Sequence, residues 1–249
     1  LFEEWNEGDD LQSFLIEITA QIFKKKEGDA YLVDLILDSA GSKGTGKWTS
    51  QCALDLGIMI PTITAAVDAR AMSAHKKERV AAFKALESYD LKVDTPELSP
   101  EDARSALFLS KICSYAQGMA LIAAASREYG WNLPFAEICR LWKGGCIIRS
   151  TLLGTFEKAF QKDSSLKNLL LDPTIIEEFK TKHQVWRSVI AKGIAAGVPL
   201  PAMTASVSYF DGYFTENLPQ NLIQAQRDLF GAHTFQRIDK EGTFHADWN

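Results

Sequence analysis

A chain of 249 residues with 46% apolar and 24% charged residues has room for one large or two small globular domains. Its formal charge of −5 argues against a general nucleic-acid binder, which carries a basic face. No uninterrupted apolar run approaches the roughly 18 residues of a membrane span, so no membrane partner is expected.

The chain opens Leu1-Phe2-Glu3-Glu4-Trp5, an acidic amphipathic start unlike a secretory leader; a first residue other than Met points to an upstream segment. "LQSFLIEITAQIFKK" then predicts a helix with Leu11, Phe14, Leu15, Ile18 and Ile22 on one apolar face. "AGSKGTGKWTS", residues 40–50, nearly spells a phosphate-binding P-loop: Gly41 opens it and Gly46-Lys47 close it. Trp48 stands where the magnesium-binding hydroxyl belongs, and no βαβ pattern surrounds the stretch, so a nucleoside-triphosphate site is rejected. Two readings stay open. Lys43 and Lys47 around a Gly-Thr-Gly turn, with a helix starting near Thr49 or Ser50, could hold a phosphate. Alternatively the stretch is a solvated turn.

"GIMIPTITAAV" from Gly57 and "GVPLPAMTASV" from Gly197 match at constant register at Gly, Pro, Thr, Ala and Val. We read this as a duplicated helical unit. The echo singles out Arg70, which stands where the second copy has Phe210. At about 100° per residue Arg70 falls on the stripe of Ile63. A guanidinium on a buried face needs a partner, either a structural carboxylate or an anionic ligand.

Further on, "SPEDARSALFLSKICSYAQGMALIAAASREYG" predicts a long helix capped by Ser99 and ended by Gly130. "LDPTIIEEFKTKHQVWRSVIAKGIAAG" predicts another from Asp172-Pro173 to Gly197. A last helix runs from Asn221 to Gly231, followed by an irregular tail too apolar to float free, with Phe235, Ile238, Phe244 and Trp248. Arg227 and His233 add positive charge at that junction. Cys52, Cys113, Cys139 and Cys146 contain no CxxC and read as reduced core thiols of a cytosolic protein; the histidine spacing supports no metal site. Strand signals are almost absent, so the expected fold is all-α: a large helical domain with an internal duplication and an extended C-terminal tail.

"SAGSKGTGKWTSQCALDLG", "AAVDARAMSAHKKER", "LSKICSYAQGM", "LWKGGCIIRS" and "LIQAQRDLFGAHTFQRIDKEGTFHADW", in that order, resemble the C-terminal helical part of the 6-phosphogluconate dehydrogenase family. The resemblance covers essentially the whole chain. The family's GxGxxG dinucleotide-binding domain and its segment carrying the catalytic Lys and Glu have no counterpart here. Where many relatives read Val-Phe-Ala-Arg, this chain reads Val67-Asp68-Ala69-Arg70.

The resemblance implies NADP-dependent oxidation and decarboxylation of 6-phosphogluconate to ribulose 5-phosphate, in the pentose phosphate pathway of the cytoplasm. It implies that Lys43, Thr45 and Arg70 hold the substrate phosphate. It implies a homodimer in which Arg227 and His233 reach the partner subunit's site. It places a substrate-binding and dimerisation domain over 1–231 and a partner-docking tail over 232–249. NADP would be held mainly outside this chain, with no metal and no catalytic residue within it. The alternative is a stand-alone helical sugar-phosphate-binding or interaction module without chemistry.

Overall fold

The computed structural model describes every residue except Asp9, residues 88–92, Asp94 and Asn249. Among the described residues the fold is all-α, with twelve helices and two short antiparallel strand pairs. Two compact units divide the chain, Leu1–Tyr209 and Phe210–Asn249.

In the first unit, helices α1 (Phe2–Glu7) and α2 (Phe14–Lys24) lead into the strand pair β1 (Lys26–Glu27) and β2 (Ala30–Tyr31) and the single turn α3 (Leu32–Leu35). After them come α4 (Thr45–Asp55), α5 (Pro61–Ala74) and α6 (Lys76–Glu87). The long α7 (Pro100–Glu128) precedes α8 (Phe135–Trp142), α9 (Leu152–Lys162), a 3-10 turn and α10 (Pro173–Ala195). Helix α11 (Pro201–Tyr213) crosses into the second unit, which holds α12 (Gln220–Gly231) and the strands β3 (Phe235–Gln236) and β4 (Thr243–Phe244).

Local chemistry sets the ends of the long helices. Ser99 accepts a hydrogen bond from the Asp102 N–H, and Asp172 accepts from Thr174 and Ile175, so donors left over by the first turns are satisfied. Gly130 and Gly197 close α7 and α10 in the left-handed region at φ 66° and 67°. Helix α7 is the centre of the core. Its Phe108, Leu109, Ile112 and Cys113 are buried, as are Phe179, Trp186, Val189 and Ile190 of α10, which packs against it. The Trp186 indole donates to Ser110 Oγ at 2.9 Å, so even the polar atom of this aromatic is paired. An 18-residue window of α7 reaches mean hydropathy 1.3, apolar enough by length and composition to cross a membrane, yet 56% of it is buried in the fold. Lys111, Ser114 and Gln117 interrupt the apolar run, which is why no span stands out in the sequence.

Lys111 ties the start of the chain to this core. Its ammonium donates to Leu11 O and Ser13 Oγ, both at 3.2 Å, and to Ser150 Oγ at 3.5 Å. Burial pushes its pKa down to about 8, against the pull of Asp10.

The echoed segments share backbone geometry. Gly57 and Gly197 are left-handed, and Ile58 N–H bonds Ala53 O (2.8 Å) as Val198 N–H bonds Gly193 O (2.9 Å). Helices α5 and α11 then both begin with proline. The turn alone is generic, since Trp131 and Ser126 close α7 in the same way. A polar bridge joins the two copies: buried Gln117 of α7 accepts from Thr62 N and donates to Thr62 Oγ1, which lies 2.9 Å from Ser206 Oγ.

Four expectations need correction. Helix α2 buries Ile16, while Leu15 and Ile22 stay about half exposed. The Ser13–Ser150 bridge holds the residues leading into α2 and so fixes its rotation. Of the cysteines, Cys113 and Cys139 are buried but Cys52 is exposed on α4; all four are free thiols. Helix α4 begins at Thr45, ahead of the expected start at Thr49 or Ser50. The tail is not irregular throughout: Phe235 pairs with Phe244 and Gln236 with Thr243 in a hairpin, with Ile238 fully exposed between the strands.

Candidate functional site

The near-P-loop stretch runs from the loop after the single turn α3 into the first turns of α4, and no strand leads directly into it. Gly44 adopts φ 99°, which an L side chain resists, and this left-handed residue starts the helix without a capping side chain. The first backbone bond is Trp48 N–H to Gly44 O at 2.9 Å, so the amides of Thr45, Gly46 and Lys47 precede the helical ladder. They add the positive end of the α4 dipole beside exposed Lys43 and Thr45. Gly46 lets this turn press onto α5, because a Cβ there would stand 2.8 Å from Val67 Cγ2.

The loop before Lys43 is laced to the end of α5. Arg70 donates to the Gly41 carbonyl, and Ala40 N–H donates to Ser73 Oγ at 2.9 Å. Asp38 pairs with Lys76 at 2.6 Å and Arg79 at 3.0 Å; Arg79 also donates to the carbonyls of Asp38 and Ser73. The Lys76 bond, then that of Arg79, holds the Asp38 carboxyl at about 2. Lys43, Thr45 and Arg70 are thus gathered around one loop. The orientation expected for Arg70 is wrong in one respect: its side chain is exposed, not buried on the Ile63 stripe. The Gln117–Thr62–Ser206 bridge sets the roll of α5, and Arg70, two turns past Ile63, projects beyond the packed part of that face. It still lines a cleft of about 400 Å³ with Ile63, Val67, Leu107, Lys111 and Met203.

Arg227 and His233 lie in the second unit, and a turn brings them together. Arg227 donates to Gln224 Oε1 at 3.1 Å, and Gln224 donates to the carbonyl of Thr234, next to His233. Asp228, fully buried, accepts from Thr234 N–H, His245 Nδ1, Ala246 N–H and the Trp248 indole. Burial raises the pKa of this carboxyl, but the four donors more than reverse that and hold it well below the usual range.

Sequence reasoning missed Asp38, Ser73 and Arg79, which brace the loop, and Asp228, which organises the hairpin. Nothing local marks them, because the bonds that brace the loop and the hairpin span 6 to 41 residues of the chain. Among the described residues no group of His, Cys, Asp and Glu could hold a metal ion. The described strands form antiparallel pairs only, so these residues do not fit a dinucleotide in the βαβ manner.

The family described as the C-terminal domain of 6-phosphogluconate dehydrogenase matches residues 1–248. The decarboxylating 6-phosphogluconate dehydrogenase of Lactococcus lactis subsp. cremoris is 52% identical over 100% of this chain and 53% of its own length. The NADP(+)-dependent, decarboxylating enzyme of Bacillus subtilis is 51% identical, over 100% of this chain and 54% of its own. The solved structure of Plasmodium falciparum 6-phosphogluconate dehydrogenase, studied apo and in complex with NADP+ and with 6-phosphogluconate, superposes with a TM-score of 0.92. It is 42% identical, covering 99% of this chain and 54% of that one. The chain therefore spans about half the length of these relatives. With the Gly-Lys loop and its Arg70 brace in place, and the match running through the Asp228 hairpin, this chain belongs to the 6-phosphogluconate dehydrogenase C-terminal-domain family.

Proposed function

We propose that this chain is the substrate-holding C-terminal part of a cytoplasmic 6-phosphogluconate dehydrogenase. The whole enzyme oxidises 6-phosphogluconate with NADP and decarboxylates it to ribulose 5-phosphate and CO2. Lys43, Thr45 and Arg70 hold the substrate phosphate: the lysine as a point charge, the threonine through its hydroxyl and helix-end amide, the arginine as a planar two-donor fork. Arg227 and His233 supply further donors to the site of the partner in a homodimer. NADP chemistry and the acid–base pair belong to residues outside this chain.

The observation that carries the reading is the Arg70–Gly41 hydrogen bond, which sets a guanidinium against the loop of Lys43 at the N-terminus of α4. The test compares this chain with the full-length protein, following NADPH formation from 6-phosphogluconate. Turnover by the full-length protein and none by the chain alone is the expected result. Turnover by the chain alone, or none by the full-length protein, refutes the reading.

A further inference from the structure

We infer that Asp228 is a positioning residue for His233, and that the end of the tail, His245 to Trp248, belongs to the same positioning system. The inference rests on the reading above, in which His233 and Arg227 meet the substrate.

Asp228 has no solvent exposure, so its carboxylate must find all its partners within the protein. One oxygen faces Thr234 N–H and His245 Nδ1, both at 2.9 Å; the other accepts from Ala246 N–H at 3.1 Å and the Trp248 indole at 2.8 Å. The Asp228 backbone carbonyl also accepts from Ala232 N–H at 2.8 Å.

His233 sits between the two residues that Asp228 grips. Ala232 and Thr234 are both left-handed, at φ 50° and 61°, a conformation that side chains with a Cβ resist and that surrounding bonds must impose. The imidazole, though exposed, also has close neighbours. A Cβ built on Gly231 would come within 2.9 Å of His233 Cδ2 and Nε2, so the ring lies directly against the glycine, with the Phe230 ring 5.8 Å away. Arg227 joins through Gln224, which also holds the Thr234 carbonyl. A single buried carboxylate thus links the last helical turn, the strained bend with His233, and the chain end. If the chain end shifts, the acceptor of Thr234 N–H shifts with it, and His233 follows.

A purely structural role for Asp228 would also cost stability, so the test needs a perturbation that moves His233 without touching the carboxylate. Gly231→Ala does this. It leaves every bond of Asp228 in place and raises helix propensity, yet its methyl displaces the imidazole. In the full-length protein, Kd of 6-phosphogluconate by calorimetry, KM, kcat and Tm are measured for Gly231→Ala, Asp228→Asn, Trp248→Phe and His233→Ala.

Asp228→Asn puts an amide N–H where two donors now point. It should raise Kd and KM for 6-phosphogluconate roughly tenfold, as for loss of a charge-assisted bond, and leave the KM for NADP unchanged. Gly231→Ala should raise them similarly while Tm holds or rises. Trp248→Phe should move them the same way by a smaller factor. If His233→Ala weakens substrate binding but Gly231→Ala and folded Asp228→Asn do not, the positioning role is overturned and the substrate role stands. If His233→Ala itself leaves Kd and KM unchanged, both fall. Should Asp228→Asn fail to fold, Trp248→Phe, which removes one donor from the carboxylate, decides: Kd and KM unchanged there while Gly231→Ala raises them would overturn the role of Asp228 and the chain end.

Discussion

Arg70 makes no ion pair among the described residues; its visible bond goes to a backbone carbonyl. A guanidinium has five donors, so most remain for an anion. In the full-length enzyme Arg70→Ala should raise the KM for 6-phosphogluconate about tenfold or more, since a charge-assisted bond is worth roughly 1.5–3 kcal/mol. Lysine should not restore it, lacking the planar fork. An unchanged KM in a folded variant would make Arg70 a loop brace only. Asp38 is the second residue whose chemistry predicts a number. Its pKa is held at about 2, below the roughly 4 of an unfolded chain. A carboxyl lowered by folding stabilises the fold fully above its unfolded value, and that contribution fades as pH falls through its folded one. Asp38→Asn should therefore lower the urea midpoint at pH 7, and the gap to wild type should close between about pH 4 and 2. A gap of constant size would assign the effect to uncharged hydrogen bonds instead.

Among elements, legibility follows the range of the forces that set each feature. The ends of α7 and α10 are readable because Ser99, Asp172, Gly130 and Gly197 act within a few residues of themselves. The start of α4 is not, because a left-handed Gly44 replaces the side-chain cap that marks most helix starts. The residues gathered at the loop were legible through the family pattern, but the exposure of Arg70 depends on the roll of α5, fixed by Gln117 and Ser206 far along the chain. The hairpin hides for a similar reason: a long connection through Ile238 joins two-residue strands, with no Asn-Gly turn to announce them. The approach of α4 to α5 can be tested directly. Gly46→Ala should gain helix propensity, up to about 1 kcal/mol, but its Cβ would stand 2.8 Å from Val67 Cγ2 and force the helices apart. The expected result is a lower Tm and a higher KM for 6-phosphogluconate, with Val67→Ala in the same chain restoring both. A Gly46→Ala protein as stable as wild type would show that the helices can part without cost.

At the scale of the whole molecule, the second unit turns its two sides to different uses. The side of α12 bearing Gln224, Ala225 and Asp228 faces its own hairpin, while Leu222, Ile223, Leu229 and Phe230 form an exposed apolar stripe on the other. Tail aromatics are engaged at home: Phe235 lies 6.4 Å from Phe244 and 6.3 Å from Trp248. The stripe on α12, with Arg227 between the two sides of the helix, is exposed together with Ile238 and part of Trp248 in the tail. This supports the proposed homodimer with shared sites, which predicts a specific pattern of complementation. Arg70→Ala and Arg227→Ala, each made in the full-length enzyme, should both be nearly inactive at low substrate. In a verified heterodimer of the two, delivery of Arg227 across the interface puts both lesions in one site and none in the other. About half the wild-type activity should then return, because one of two symmetric sites is intact. Delivery within one chain leaves a lesion in every site, and activity stays low. Heterodimers that recover nothing would return Arg227 and His233 to their own subunit, and leave the apolar stripe on α12 to another partner.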